Sequence, residues 1–222
     1  MKRTLILLFC FALFTSHELF LKSDSCFLNT NEESELSLFN GTFDQGENII
    51  TRDRIINAKI IELSAEEFNE YLHHEELIDV LANRKKNELT NLSVREKYSK
   101  HVKALFQVSG KRTNHFDIVL GYPIEFVPNN NPYVLSKGDK LSLRLLKEGK
   151  LLTNQMVHYS SRLNAGSHSA VEKSTRTDEN GTLTIELDQV GRWYVATIYM
   201  VKAAEENIDY VSNWATLTFE VR

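Results

Sequence analysis

Histidines are the side chains of this sequence best suited to chemistry, and that chemistry is metal coordination. His17 directly follows Ser16, where a removable leader is expected to end. Cleavage there gives one residue a free amino group and an imidazole, a donor pair that chelates copper, nickel or zinc. Because one residue supplies only two donors, other ligands must come from elsewhere, and His158 and His168 are candidates on residue type alone. The alternative is that His17 is merely the first ordered residue and His158 an ordinary strand histidine.

Two other stretches contain many potential ligands but are better explained by local structure. His73-His74-Glu75-Glu76 falls in a predicted helix. Neighbouring residues of a helix point about 100° apart, which favours a solvated helix face over a metal site. Asp178-Glu179-Asn180-Gly181 lacks the further acidic position of a calcium loop and is predicted to be a hairpin turn.

Linear motifs of catalysis are missing from the sequence. It contains no Gly-x-Ser-x-Gly, no phosphate-binding glycine loop, no His-Glu-x-x-His and no Cys-x-x-Cys. Together with the dominance of structural turns, this favours binding over turnover, and we expect a protein that is not an enzyme. A remote alternative is a copper-dependent oxidative enzyme that uses an N-terminal His17.

The first sixteen residues have the layout of a signal peptide. Lys2 and Arg3 precede an apolar run from Leu5 to Phe14. This run has about ten residues, whereas about twenty are needed to cross a bilayer. We therefore expect residues 1–16 to be removed on secretion across the inner membrane, with cleavage after Ala12 left open. The mature chain is expected in the periplasm or cell envelope, without a transmembrane segment.

Composition and charge narrow the class of partner. The chain of 222 residues is 42% hydrophobic and 25% charged, which is typical of a globular protein, and its net charge is −4. A mildly acidic surface repels phosphate backbones, so we expect no nucleic-acid partner. Cys10 lies in the leader and Cys26 would remain alone, so no internal disulfide is expected.

The elements that would position these residues are mainly β. Short strands predict a first β domain over residues 17–63. Ser64 and Glu67 form a capping box, and apolar residues at helical spacing predict a helical segment over 64–106, including a second helix from about Ser93. Strands at 107–128 are expected to rejoin the first domain.

Residues 129–222 predict a second domain, because turn signals recur about every 8 to 12 residues, as in a β-sandwich. Its predicted core is Leu141, Leu143, Leu145, Val157, Leu183, Ile185, Trp193, Val195, Leu217 and Phe219.

The second half of the chain also carries a recognisable order of short motifs: Asn131-Pro132-Tyr133, Gly138, Gly149-Lys150-Leu151-Leu152, Thr177-Asp178-Glu179-Asn180-Gly181, Gly191-Arg192-Trp193-Tyr194 and Ser212-Asn213-Trp214-Ala215-Thr216-Leu217-Thr218-Phe219. With His17–Phe20, Phe68–Leu77, Glu96–Leu105 and Leu120–Pro128, this order resembles the NikM-like family of envelope proteins. That family is a domain of unknown function assigned by analogy to the periplasmic component of nickel or cobalt uptake. The resemblance implies two β-sandwich domains of the prealbumin-like or carboxypeptidase-regulatory-like type.

The sequence departs from the family pattern in two places. Between Lys59 and Ile61 it passes straight into the segment before the helices, where relatives carry several more strands, so the first domain is abridged. Relatives also carry a His where Tyr199 stands and a Glu where Val211 stands. Both would be natural metal ligands, and both are replaced here.

The functional expectation is an exported, non-catalytic binding protein of the cell envelope, linked by resemblance to transition-metal handling, with nickel, cobalt, copper or zinc as the ion. Its partners would be a metal ion, an envelope protein or a transporter. The alternative is a structural adaptor without a metal site, whose sheet edge pairs with another envelope protein by strand addition.

Overall fold

The computed structural model describes residues 18–41, 48–51, 55, 57–162 and 172–222, and these residues form a mainly β protein. In chain order the elements are β1 (Glu18–Lys22), β2 (Phe27–Leu28), β3 (Ser37–Gly41), β4 (Asn48–Ile49), β5 (Lys59–Leu63), α1 (Ala65–His74), α2 (Ile78–Lys86), β6 (Val94–Ala104), β7 (Gln107–Val108), β8 (Ile124–Pro128), β9 (Lys140–Lys147), β10 (Lys150–Leu151), β11 (Met156–Arg162), β12 (Lys173–Arg176), β13 (Thr182–Glu186), β14 (Gly191–Lys202) and β15 (Tyr210–Val221). The predicted mainly β class is confirmed.

The largest sheet has the strand order β12-β11-β14-β15-β6-β5. Its centre is the antiparallel pair β14 and β15, twelve residues each, which stay in register from Gly191↔Val221 to Lys202↔Tyr210. Next to them, β6 pairs parallel with β15, and β5 pairs antiparallel with β6. The long apolar runs of β14 and β15 suit this position, because central strands are covered on both faces.

A smaller sheet, formed around β9 by β8, β10 and β13, packs on one face of the large sheet. We call this covered face the inner face. Alternate side chains of both sheets point into the space between them, which is the pattern of a β-sandwich. All ten residues of the predicted core lie in this one buried cluster, so that prediction is confirmed.

The opposite, outer face of the large sheet has two covers. Helices α1 and α2 pack on Ile198, Met200 and Trp214. A three-stranded sheet of β1, β3 and β4 covers Tyr194 and Ala196 through Phe20 and Phe39. We call the two covers the helical cover and the N-terminal sheet. The capping box predicted at α1 is present, with Ser64 accepting from the Glu67 backbone N–H and Glu67 accepting from the Ser64 N–H.

A buried ion pair joins the two sheets of the sandwich. The Lys103 Nζ of β6 donates to Glu125 Oε2 of β8 at 2.8 Å, and their side chains are 8% and 2% exposed. Lys103 also donates to the Ile118 and Phe126 carbonyls, while Glu125 accepts from the backbone N–H groups of Leu120 and Gly121. Through these hydrogen bonds the ion pair holds residues 118–121, the segment just before β8, in place.

The helix predicted from about Ser93 is wrong. Helices α1 and α2 lie inside the predicted segment 64–106, but Val94–Ala104 is strand β6. Val94, Tyr98 and Val102 recur every four residues, a spacing that fits both a helix face and one side of a strand. Pairing with β15 decides between them, because nine residues of β6 pair in parallel with β15 and form backbone hydrogen bonds that a helix could not make with that strand.

Strand pairing runs across the boundary predicted at residue 129. Strand β8 pairs with β9, and β6 pairs with β15. The large sheet combines β5 and β6 with four strands from residues 156–221. The division into two domains stays a prediction.

The turn at Asp178–Gly181 is confirmed as a turn, but it leads from β12 of the large sheet to β13 of the small one and is therefore no hairpin.

Candidate functional site

The predicted ligand His158 lies on the outer face of the large sheet, at the border between its two covers. On β11 it pairs with Ala196 of β14 and with Ser174 of β12. Ala196 is buried beneath the N-terminal sheet, whereas Ile198, two residues further along β14, is buried beneath the helical cover. We call this border the seam.

Glu172 holds one side of the His158 ring. The two residues form an ion pair with 3.4 Å between His158 Nδ1 and Glu172 Oε1, and the imidazole is 15% exposed. The Tyr194 hydroxyl donates to the other carboxylate oxygen of Glu172. The imidazole is thereby fixed in orientation by a carboxylate that is itself held in place.

The other ring nitrogen, His158 Nε2, is buried and has no hydrogen-bond partner among the described residues. Buried polar atoms normally have a partner, so an unpaired one calls for an explanation. Metal-binding histidines typically donate one ring N–H to a carboxylate and leave the other nitrogen for the ion. His158 has this arrangement.

The charge state of His158 is set by opposing effects. Burial lowers its pKa, but the Glu172 carboxylate and the charges of Glu76 and Glu75 outweigh burial, so the pKa lies above its ordinary value. A metal ion therefore competes with a proton that the site holds more tightly than free histidine does.

The structure describes one residue of the predicted metal set, His158. His17 and His168 lie outside the described residues, so a shared site with His158 stays a prediction. Within the described ranges, no group of three or more His, Cys, Asp and Glu side chains could hold a metal ion. His158 is thus the one residue of the predicted set whose surroundings the structure describes. His74, at the end of α1, has a side chain that is 71% exposed, as expected for a solvated helix face.

A half-open cleft of about 270 Å³ lies beside the seam, between the α1–α2 turn and the sheet. Its walls include Met156, Ile198, Tyr199 and Met200. Arg176 and Asp79 face each other across it, with 3.7 Å between Arg176 Nη1 and Asp79 Oδ2. The cleft gives solvent a path to the edge of the outer face.

Sequence reasoning missed a buried acid beneath the helical cover. Glu96 of β6 is 1% exposed and accepts a hydrogen bond from the Ser212 hydroxyl. Burial raises its pKa to about 6, against the opposing effects of Ser212 and the Lys100 charge. Val94, Glu96 and Tyr98 alternate along the segment, which indicates one face of a strand. Because the sequence analysis predicts a helix here, it does not place Glu96 on a buried face.

The fold and the seam define the chain as a β-sandwich protein with a covered outer face and a carboxylate-held histidine at its border. The family model of DUF4198, a domain of unknown function, matches residues 27–201, and the chain belongs to this family. Comparison with curated proteins gives no match, and comparison with solved structures gives none. Within the described residues, no helix is long and apolar enough to cross a membrane.

Proposed function

We propose that this protein is an exported, non-catalytic binding protein of the cell envelope that binds a transition-metal ion through His158. One observation carries the proposal: Glu172 holds Nδ1, while Nε2 is buried without a hydrogen-bond partner among the described residues. The NikM-like resemblance supports the class of ion, nickel or cobalt, since imidazole nitrogen suits both.

The surroundings of His158 fit a cation. Glu172, Glu75 and Glu76 are close enough to raise its pKa, so the local field is negative. A bound cation replaces the proton that this field otherwise favours. His158 supplies one ligand, and the rest of the coordination shell requires other donors.

The test is metal-dependent stabilisation of the exported, processed protein. An ion that binds only the folded state raises Tm. When the free ion is at one hundred times its Kd, the free energy of unfolding increases by about 2.7 kcal/mol. Nickel, cobalt, copper and zinc are titrated against the unaltered protein, His158→Gln and His115→Gln. His115 is the matched control, because it is an exposed histidine in the 3-10 turn Asn114–Asp117.

We expect His158→Gln to abolish the rise in Tm and His115→Gln to leave it unchanged. Affinity should increase with pH through the raised pKa of His158, because only the neutral imidazole binds the ion. The proposal fails if none of the four metals shifts Tm, or if His158→Gln binds as well as the unaltered protein. An oxidase assay on the copper-loaded protein tests the enzyme alternative.

The adaptor alternative is favoured by strand β5. Among the described strands it is the outermost member of the large sheet on one side, and Ile60 is 48% exposed. An outer strand presents backbone groups that can pair with a partner's strand. A photo-crosslinker at residue 60 should then trap one envelope protein, and a crosslinker at the exposed Leu151 should not. No adduct at residue 60 would reject this alternative.

A further inference from the structure

The helical cover is an excursion of the chain from one pair of neighbouring strands. Strands β5 and β6 lie side by side in the large sheet and pair antiparallel as far as Leu63↔Val94. Both helices of the cover lie between these two residues, in the segment 64–93. The chain of the cover therefore leaves and re-enters the large sheet at the same point. A cover attached in this way can move without breaking the pairing of β5 with β6.

The far end of the cover, the turn between α1 and α2, is held only loosely by polar contacts. The half-open cleft of about 270 Å³ lies between this turn and the sheet, so water reaches the edge of the contact. Across it, Asp79 and Arg176 form an ion pair of 3.7 Å, and an exposed pair of this kind contributes little to stability. The cover is held down mainly by apolar side chains of its own: Phe68, Leu72, Leu77 and Leu81.

The sheet surface beneath the cover contains polar groups that are poorly satisfied in this arrangement. The buried Tyr210 hydroxyl and Trp214 Nε1 have no hydrogen-bond partner among the described residues. Glu96, which lies opposite Tyr210 in the strand register, is 1% exposed. A buried carboxylate and unpaired polar atoms both gain free energy when water reaches them. These groups therefore oppose the apolar packing that keeps the cover closed.

The polar groups beside Glu96 do not offset its burial. The Ser212 hydroxyl of β15 donates to it, and the Lys100 charge of β6 attracts it. Burial is the larger effect and raises the pKa of Glu96 from 4.5 to about 6. The carboxyl group is therefore neutral in acid and ionised, at a cost to the closed arrangement, at neutral pH.

The groups that face Glu96 from the other elements supply no positive charge. Tyr71 of α1 and Tyr98 of β6 have pKa values raised by burial and by the Glu96 charge, so both stay neutral. Glu75, also on α1, is a further negative charge that acts on Tyr71. On β5 the partner of Glu96 is the apolar Ile61.

We propose that the helical cover is a lid, hinged at Leu63 and Val94, that opens more readily when Glu96 is ionised and thereby uncovers the outer face around Trp214. As the pH rises, the Glu96 proton passes to water. Opening then hydrates the carboxylate together with the Tyr210 hydroxyl and Trp214 Nε1. This lid does not depend on metal binding at His158.

The size of the effect follows from the two pKa values of Glu96. The pKa is about 6 in the closed form and returns to its ordinary 4.5 when water reaches the side chain. Well below about pH 4.5 both forms hold the proton, so the balance between them does not change with pH. Well above about pH 6 the open form has gained about 30-fold over the closed form.

Amide hydrogen exchange of the exported protein, followed by mass spectrometry, measures the opening. Helix α1 has ten residues, and a helix of that length is marginal in water once undocked, so its amides exchange when the lid opens. At about pH 8 we expect them to exchange at least about tenfold faster than the amides of β14 and β15, because the sheet stays intact. Glu96→Gln cannot ionise and should slow α1 exchange by about 30-fold at pH 8 and by less than about twofold at pH 4.

The matched control is Glu62→Gln, which removes an exposed carboxylate from the hinge strand β5. It should change α1 exchange by less than about fivefold, and equally at both pH values. If α1 exchanges no faster than β14 and β15, the cover opens only when the whole protein unfolds, and the lid is refuted. If Glu96→Gln has the same effect at both pH values, the ionisation of Glu96 does not drive opening, and the inference is overturned.

Discussion

Replacing Glu96 by glutamine should stabilise the protein at neutral pH, because the native fold buries this carboxyl group beneath helix α1. Glutamine has the same shape and its side-chain oxygen can still accept from the Ser212 hydroxyl. The charge is removed, and an NH₂ group takes the place of the other carboxylate oxygen. The side chain is 1% exposed, so solvent screens that charge little.

The magnitude follows from the pKa of Glu96, which burial raises from 4.5 to about 6. Below about pH 4.5 the carboxyl is protonated in both the native and the unfolded state, and burial costs no charge. Between the two pKa values the unfolded chain loses the proton first, so stability falls as pH rises. Above about pH 6 the full cost remains, which is about 2 kcal/mol at 1.36 kcal/mol per pKa unit.

Urea unfolding followed by tryptophan fluorescence measures this, since Trp193 and Trp214 are both buried. We expect Glu96→Gln to gain about 2 kcal/mol at about pH 8 and almost nothing at about pH 4. Glu62→Gln is the control, because that carboxylate is 76% exposed and lies 3.2 Å from Arg95 Nε. Its effect should stay within about 0.5 kcal/mol. A Glu96→Gln gain that is equal at both pH values, or a loss at pH 8, would refute the reasoning.

Two further predictions concern stability. Lys103→Met leaves the Glu125 carboxylate buried without its counter-charge, and we expect the free energy of unfolding in urea to fall by about 3–5 kcal/mol. Amide hydrogen exchange should speed up at Leu120 and Gly121, whose N–H groups donate to Glu125. Unchanged exchange at these two residues would show that the ion pair does not hold them. Gly181→Ala places a Cβ 2.9 Å from Leu151 Cβ at φ +62, while Gly149→Ala has φ +74 and open space. Both should lose about 1 kcal/mol to the positive φ, and Gly181→Ala about 1–3 kcal/mol more, read from Tm. Equal losses would show that the contact relaxes freely.

Local patterns in the sequence predict much of the sandwich. Alternating apolar residues in strands such as Leu141–Leu145 predict which side chains are buried, because a strand with one covered face must point every second residue inward. The capping box at Ser64 is equally local, since both of its hydrogen bonds join residues three apart. Patterns of this kind depend on short distances along the chain and are readable without knowing the fold.

The segment from Val94 to Ala104 shows where local reading fails. Its spacing of four between apolar residues fits a helix or a strand, and only the parallel pairing with β15 selects the strand. Glu96 is buried for the same reason, because that pairing places it under α1. Glu172 had no sequence signal as a partner of His158, since fourteen residues and a strand reversal separate them.

The sequence by itself therefore determined the mainly β class, the buried positions of the sandwich and the start of α1, because each depends on the periodicity of neighbouring residues. The tertiary structure alone decided that β6 joins the large sheet, that Glu96 is buried, and that His158 meets Glu172 at the border of two covers. These contacts join residues distant in sequence, and their energies depend on which strand edges and faces become available once the sheets have formed.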